Sequence, residues 1–326
     1  MTPQTLFQVS MGLACRVVHA VPAIRRKRLD GPNIVYYHWA GQVTDHYRSF
    51  YAGCTLERFC SDLDLLTRIC EFVPLECLVG GRESVGSRRP RMALTFDDGF
   101  NLVGSGVMAE LNRRGIPATV LLITDCVDNR SLMWRNALSV LIARVDCNRL
   151  LQAYNAAVTS HQLPKIRSLE GVLGASIDWP NALKDRVVRD IWGLCGLPSL
   201  DAYLIEQSPY MSWGDVDTWT ASGHSVGLHT RTHAVCSRLS GAEIETEIER
   251  PAAELRAKIG STFLPFSYPF GPELPEEVAR RLVAEGHVDC LMGIRGLSRR
   301  GTPPWALQRA GIERDLNWPI FARPRH

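Results

Sequence analysis

Short β-branched or aromatic runs alternate with amphipathic helical patterns along most of this chain, and that alternation restricts its fold more than any other feature. Residues 33–39 (NIVYYHW), 91–96 (RMALTF), 117–124 (PATVLLIT), 224–229, 263–268, 288–294 and 306–312 read as strands. Between them, Thr55 can cap a helix with Leu56, Phe59, Leu63 and Leu66 on one face, and a second helix runs to Gly115. Ser240-Gly241-Ala242-Glu243 is a capping box opening a helix with Ile244, Ile248, Leu255 and Ile259 on one side. Pro251 falls inside that helix and predicts a kink or break there. A helix over 275–286 completes the series. Repeated βα units build a parallel sheet or barrel with helices outside.

The strands give way to helices between about residues 126 and 210, most clearly over 134–145 and 183–194. This segment is expected to be an insertion that shapes one wall of a site. The expected organisation is an N-terminal extension over 1–30 and one domain over 31–326 that carries the insertion. A length of 326 residues allows a core of that size. The net charge of +3 is too small to argue for a nucleic-acid binder, and no long basic run interleaved with aromatics supports one, so no nucleic-acid partner is expected.

The ten cysteines are dispersed, without a Cys-x-x-Cys pair, and fall mostly in apolar stretches. They read as reduced core thiols, which favours the cytoplasm. Residues 6–23 are moderately apolar but broken by Arg16 and His19, and the basic run 25–28 follows them. A secretory signal has the reverse order, and the stretch is too interrupted to span a bilayer. Two readings stay open: a helix packed on the domain, or an amphipathic helix making peripheral membrane contact.

In βα folds, reactive groups gather at the carboxyl ends of the strands. Four expected strands end in such residues: His38, Asp97-Asp98-Gly99, His229 with His233, and Tyr268-Pro269-Phe270-Gly271. Histidines four apart can share one face of a helical turn and bind one ion through neutral imidazoles. A pair alone is usually incidental, so a carboxylate is wanted as third ligand. Two adjacent aspartates repel unless a cation or hydrogen bonds stabilise them. At a strand end, with Gly99 free to take positive φ, both can turn into one pocket. One can then bind metal while the other accepts a proton from metal-bound water. A bare Asp-Asp-Gly is otherwise an ordinary turn.

Thr95-Phe96-Asp97-Asp98-Gly99, His229-Thr230-Arg231-Thr232-His233 and Ser267-Tyr268-Pro269-Phe270-Gly271, in that order, resemble the motifs of the polysaccharide deacetylase family, carbohydrate esterase family four. The resemblance runs over about residues 33–312 and includes the Tyr-His ending of the first strand and Ser212-Trp213 before the second motif. It implies a distorted (β/α) barrel with fewer than eight regular strands. It also implies hydrolysis of an acetamide on a sugar. Asp97 would be the general base, and Asp98, His229 and His233 would hold a divalent metal, zinc first, with cobalt, nickel or manganese also suited. The Phe270 N–H would help hold the oxyanion. Tyr268 and Trp213 are candidate substrate platforms. Trp134 and Trp305 are further candidates, Trp305 ranking with Trp213 because both adjoin motif segments; most tryptophans pack in cores, so no more than one is expected to touch substrate.

The chain departs from the family at two motifs. Ser267 stands where an arginine usually orients the base, and Leu307-Gln308-Arg309 has arginine where a histidine general acid is usual. Arg309 either pairs with Asp97 in place of the missing arginine or is a surface residue. If it pairs, its replacement by Met is expected to cost activity much more than folding. His38 is the candidate general acid, or else a satisfied core histidine, in which case a water on the metal could deliver the proton. His287 follows a helix end and fits capping or solvent exposure better. The expected substrate is an N-acetylated glycan or lipid-linked saccharide. The alternatives are another small acyl or formyl amide, and a glycan-binding protein that has lost turnover.

Overall fold

The computed structural model describes residues 29, 31–51, 54–79 and 89–313. The expected helix over 6–23, and the membrane contact it could make, lie outside those residues. None of the helices in the described residues is long and apolar enough to cross a membrane.

The strands are β1 (Asn33–Tyr37), β2 (Glu71–Phe72), β3 (Arg91–Phe96), β4 (Ala118–Leu122), β5 (Ser225–Leu228), β6 (Pro265–Ser267), β7 (Cys290–Gly293), β8 (Leu307–Gln308) and β9 (Ala310–Gly311). Every pairing among them is parallel, in the order β8-β7-β6-β5-β4-β3-β1-β9, with β2 set against the start of β3. The two ends of this path, β8 and β9, are consecutive in sequence. One segment therefore pairs with β7 through Leu307 and Gln308 and with β1 through Ala310 and Gly311, and the barrel nearly closes on itself. Arg309 falls between the two pairings, its N–H donating to the Gly293 carbonyl (3.0 Å). The fold is a distorted β/α barrel, one of the two arrangements the alternating pattern allowed and the one the resemblance implied, but eight strands lie along its path where fewer than eight were expected, because the closing segment forms two short ones.

Side-chain alternation decides what faces inward. Ile34, Ala93, Leu121, Met292 and Leu307 form a small inner cluster. Val35, Tyr37, Leu94, Phe96, Val120, Leu122 and Phe266 face outward into the larger core beneath the helices. Those helices are α1 (Leu56–Ile69) and α2 (Val107–Arg114), then, beyond the insertion, α7 (Trp213–Ala221), α8 (Arg250–Ile259) and α9 (Glu276–Ala284). Thr55 caps α1 by accepting the Arg58 N–H, a contact worth about 1 kcal/mol.

Within the insertion lie α3 (Trp134–Arg144), α4 (Cys147–Ser160), α5 (Asn181–Cys195) and α6 (Leu200–Gln207). They bury a core of their own that includes Trp134, Tyr154, Trp192 and Tyr203. Phe100 and Ile123, which follow β3 and β4, belong to that core as well. The insertion is thereby seated at the carboxyl end of the barrel. The nine cysteines among the described residues are free thiols; Cys147 is exposed and six are buried.

The capping box at Ser240 and Glu243 is present. Of the kink or break expected at Pro251, the break is absent: the helix leaves α geometry in a π turn over Glu245–Glu249 and resumes as α8. Proline has no N–H for the carbonyl four residues back, which is that of Glu247. That carbonyl accepts the Arg231 N–H at 3.0 Å, so the helix continues without leaving it unpaired.

Candidate active site

Alternation along β3 puts Ala93, Thr95 and then Asp97 on the inner side of the barrel. Asp98 and Gly99 both take φ of 70°, which ends the strand and turns the second carboxylate into the same pocket. Gly99 is needed there twice over, because a Cβ would lie 2.9 Å from the Leu122 Cδ2 atom. Asp97 and Asp98 are 3% and 1% exposed.

His229 and His233 occupy a loop after β5, in place of the helical turn expected from their spacing. Thr230 (φ 62°) and His233 (φ 64°) are left-handed, which no helix accommodates. The Glu247 carboxylate holds this loop, accepting the N–H (2.9 Å) and hydroxyl (2.8 Å) of Thr232. Its own carbonyl takes Arg231, as described above. The loop delivers the Nε2 atoms of His229 and His233 to 3.3 and 3.2 Å from Asp98 Oδ1. One ligand atom from each of the three residues lies within 4.8 Å of the others.

Asp98 Oδ1 is buried and makes no hydrogen bond. A buried carboxylate oxygen without a donor is costly, and a cation between it and two imidazoles removes the cost. The donor set of two imidazoles and one carboxylate suits a divalent metal with open coordination positions. Protonation is suited as well. Burial pushes the His233 imidazole down to about 4, so it is neutral near pH 7. His229 Nδ1 faces the Ser267 carbonyl (2.9 Å) and hydroxyl (2.6 Å); donating its proton there leaves the Nε2 lone pair for a metal. Burial opposes ionisation of Asp98, but proton-bearing imidazoles facing it outweigh burial and hold this carboxyl well below its ordinary range; a cation between the three residues would act in the same sense.

Arg309 crosses the barrel interior to Asp97. Its two terminal nitrogens donate to the two carboxylate oxygens at 2.7 and 2.8 Å, and one also donates to the Thr95 hydroxyl at 3.1 Å. The guanidinium is fully buried and lies 4.7 Å over the Tyr36 ring. Burial raises the Asp97 carboxyl, and Arg309 with His229 lowers it further than that, so it is ionised at neutral pH. The Ser267 hydroxyl is 3.3 Å from Asp97 Oδ1.

His38 follows β1 with its Nδ1 3.1 Å from Glu313. Burial lowers this imidazole, but Glu313 outweighs burial and the result is a raised pKa. Glu313 also accepts the backbone N–H groups of His38 and Trp39 and the hydroxyl of Tyr47. Phe270 has φ of 60°, and its ring packs on His233 (4.5 Å) and Trp134 (5.7 Å). Its N–H finds no acceptor among the described residues.

The remaining candidates lie further from this cluster. Tyr268 is 3% exposed and packs on Phe266, inside the outer core. Trp213 is half-buried under Lys258, lining a cleft of about 570 Å³ with Arg231. Trp134 is buried, Trp305 lies beneath Arg280, and His287 sits beside Glu285 at the end of α9.

Tyr51 and Glu313 were not foreseen from the sequence. The Tyr51 hydroxyl donates to Asp98 Oδ2 at 2.6 Å and lies 3.0 Å from Asn136 Oδ1 on α3. Tyr51 belongs to no strand end or motif, so no sequence pattern marked it. Glu313 is different: it stands just past the last strand, where the strand-end rule, taken two residues further, would have found it.

A model of the polysaccharide deacetylase family matches residues 199–288, the stretch that holds both histidines and the Ser267 segment. Over that stretch the chain is similar to the polysaccharide deacetylases. Solved structures share the fold over most of its length. The Streptococcus pyogenes deacetylase PplD, solved with acetate, aligns over 87% of this chain and 92% of its own, with TM-score 0.56 and 12% identity. IcaB from Ammonifex degensii aligns over 86% and 92%, with TM-score 0.52 and 19% identity. A Bacillus cereus polysaccharide deacetylase aligns over 87% and 66%, with TM-score 0.52 and 14% identity. No curated protein matches the sequence.

Proposed function

We propose that this chain is a divalent-metal-dependent deacetylase that hydrolyses the N-acetyl group of an amino sugar within a glycan or lipid-linked saccharide. The observation that carries this reading is the side-by-side placement of a convergent Asp98, His229 and His233 set and an ionised Asp97 held by Arg309. A site for binding alone has no use for a second buried carboxylate fixed beside the ligands.

Asp98, His229 and His233 would hold the metal, zinc being the first candidate. A cation there polarises an amide carbonyl and makes nearby water more acidic. Asp97 takes the proton from the attacking water. The two bonds from Arg309 leave it few orientations and keep it charged, in exchange for some basicity. Ser267 supports Asp97 and His229 together, so base and ligand are set against one another by a single residue. The N–H of Phe270 stabilises charge on the tetrahedral oxygen. Collapse of that species requires a proton on the leaving nitrogen. His38 supplies it, and Glu313 favours its protonated form. The products are acetate and a free amine.

Acetate release from N-acetylglucosamine oligomers and bacterial glycans, with and without chelator and added zinc, tests the proposal. Chelator-sensitive release that Asp97→Asn abolishes while metal content is retained is the expected outcome. A wild type that binds one metal and releases acetate from none of them would overturn it.

A further inference from the structure

The first turn of α3 carries an arginine that the reaction above leaves unused. The Arg135 guanidinium is centred 4.4 Å over the ring of Tyr51, 5.5 Å from that of Phe270 and 5.6 Å from that of Phe50. Tyr51 bonds Asp98, and Phe270 packs on His233, so this cation stands beside the metal ligands. It is half-buried where Asp97, Asp98 and His233 are buried, which puts it at the rim of the pocket.

Its partners are few. One terminal nitrogen donates to the Phe50 carbonyl (2.6 Å), and Nε is buried with no acceptor. No carboxylate among the described residues pairs with it. Two other arginines, by contrast, are neutralised, Arg309 by Asp97 and Arg231 by Asp125. The charge balance is then simple. Asp97 cancels Arg309, a divalent cation exceeds Asp98 by one charge, and Arg135 adds another. The pocket is left positive on the side walled by the insertion. Three aromatic rings hold the guanidinium in place, so little of its freedom remains to be lost on binding a planar or tetrahedral oxyanion.

We infer that Arg135 is a specificity residue that binds an oxyanion, phosphate or carboxylate, on the acetamide-bearing sugar or its immediate neighbour. This rests on the deacetylase reading and narrows its substrate to acidic or phosphorylated N-acetyl sugars. A merely structural Arg135 would hold the Phe50–Tyr51 turn and leave substrate preference unchanged.

The test compares kcat/KM of wild type, Arg135→Gln and Arg135→Lys on three substrates: neutral N,N'-diacetylchitobiose, a phosphorylated N-acetylglucosamine, and a glucuronate-containing N-acetylated disaccharide. Wild type should prefer one anionic substrate over the neutral one by about tenfold or more, mainly through KM. Arg135→Gln should erase that ratio and Arg135→Lys should keep part of it. Whichever anion is preferred identifies the source as phosphate or carboxylate. Equal kcat/KM on all three in wild type, or an undiminished ratio in Arg135→Gln, would overturn the inference and leave the deacetylase reading intact. If wild type turns over none of them, calorimetric binding of the same sugars to zinc-loaded protein decides. Anion-dependent binding lost in Arg135→Gln sustains the oxyanion site without the reaction, and no anion-dependent binding ends it.

Discussion

Arg309→Met is the most informative perturbation of this molecule. Its complete burial revises the expectation that the substitution would harm activity and spare folding. The pair consists of two hydrogen bonds of 2.7 and 2.8 Å between groups that are 0% and 3% exposed. Removing one member of such a pair strands the other and costs about 3–5 kcal/mol. That is a large share of a domain stability of roughly 5–15 kcal/mol. Asp97→Asn strands Arg309 and should cost a comparable amount. The double variant strands neither charge, so its loss should fall short of the summed singles by at least about 2 kcal/mol. The pH dependence has a definite sign. In wild type the Asp97 carboxyl is depressed, so its contribution is present above the unfolded carboxylate pKa and is lost as pH falls through the folded one. Without Arg309 burial raises that carboxyl, so the deficit of Arg309→Met should shrink as pH drops from 7 towards 4. The double variant should show no such recovery. Denaturant unfolding of the four proteins in chelator, followed by circular dichroism at several pH values, measures all of this. Additivity within about 0.5 kcal/mol would refute the claim that the two charges depend on one another.

Other substitutions test the supporting shell. Tyr51→Phe removes the donor to Asp98 Oδ2 and should weaken zinc binding by about 10–100-fold, read by competition with a chromophoric chelator. Unchanged affinity would show that Asp98 needs no outer partner. Glu313→Gln removes the charge that raises His38, so burial should prevail and the alkaline limb of kcat/KM should move to lower pH. An alkaline limb that stays in place would assign the acid to another group.

What the sequence revealed and what it hid separate along one physical line. Local periodicity and strand ends mark residues whose roles depend on their own strand, His38, Asp97 and Asp98, and the approximate bounds of the main barrel strands and of the helices around them; the two-residue strand Glu71–Phe72 and the insertion helices Cys147–Ser160 and Leu200–Gln207 carried no such mark. Spacing misled where the backbone left regular geometry. His229 and His233 have helical separation but sit in a loop with two left-handed residues, held by a glutamate 14 residues beyond His233 in sequence. Pro251 signalled a kink or break, and the helix answers with a π turn before it, while the Arg231 N–H takes up the carbonyl that proline leaves unpaired. Tyr51 matters only because the insertion and the barrel meet at Asp98. No pattern along the chain encodes a meeting of that kind.

Barrel closure explains why an arginine far from the usual motif can serve Asp97. Position 267 is on β6 and position 309 is on the closing segment, at opposite ends of the arc formed by β5, β4, β3 and β1, yet both contact Asp97. Inside a narrow barrel, residues of one layer meet across the axis whatever their order in the chain. Arg309 reaches over Tyr36 of β1 to Thr95 and Asp97 of β3. With the charge supplied from there, the small Ser267 leaves room for the guanidinium and is free to bond His229 as well. An arginine at 267 would have to share Asp97 with Arg309, leaving two buried cations against one carboxylate, which burial penalises heavily. Ser267 and Arg309 are therefore a matched pair. Introducing arginine at 267 should be tolerated only where Arg309 is removed, a reciprocity that expression and unfolding of Ser267→Arg with and without Arg309→Met would expose.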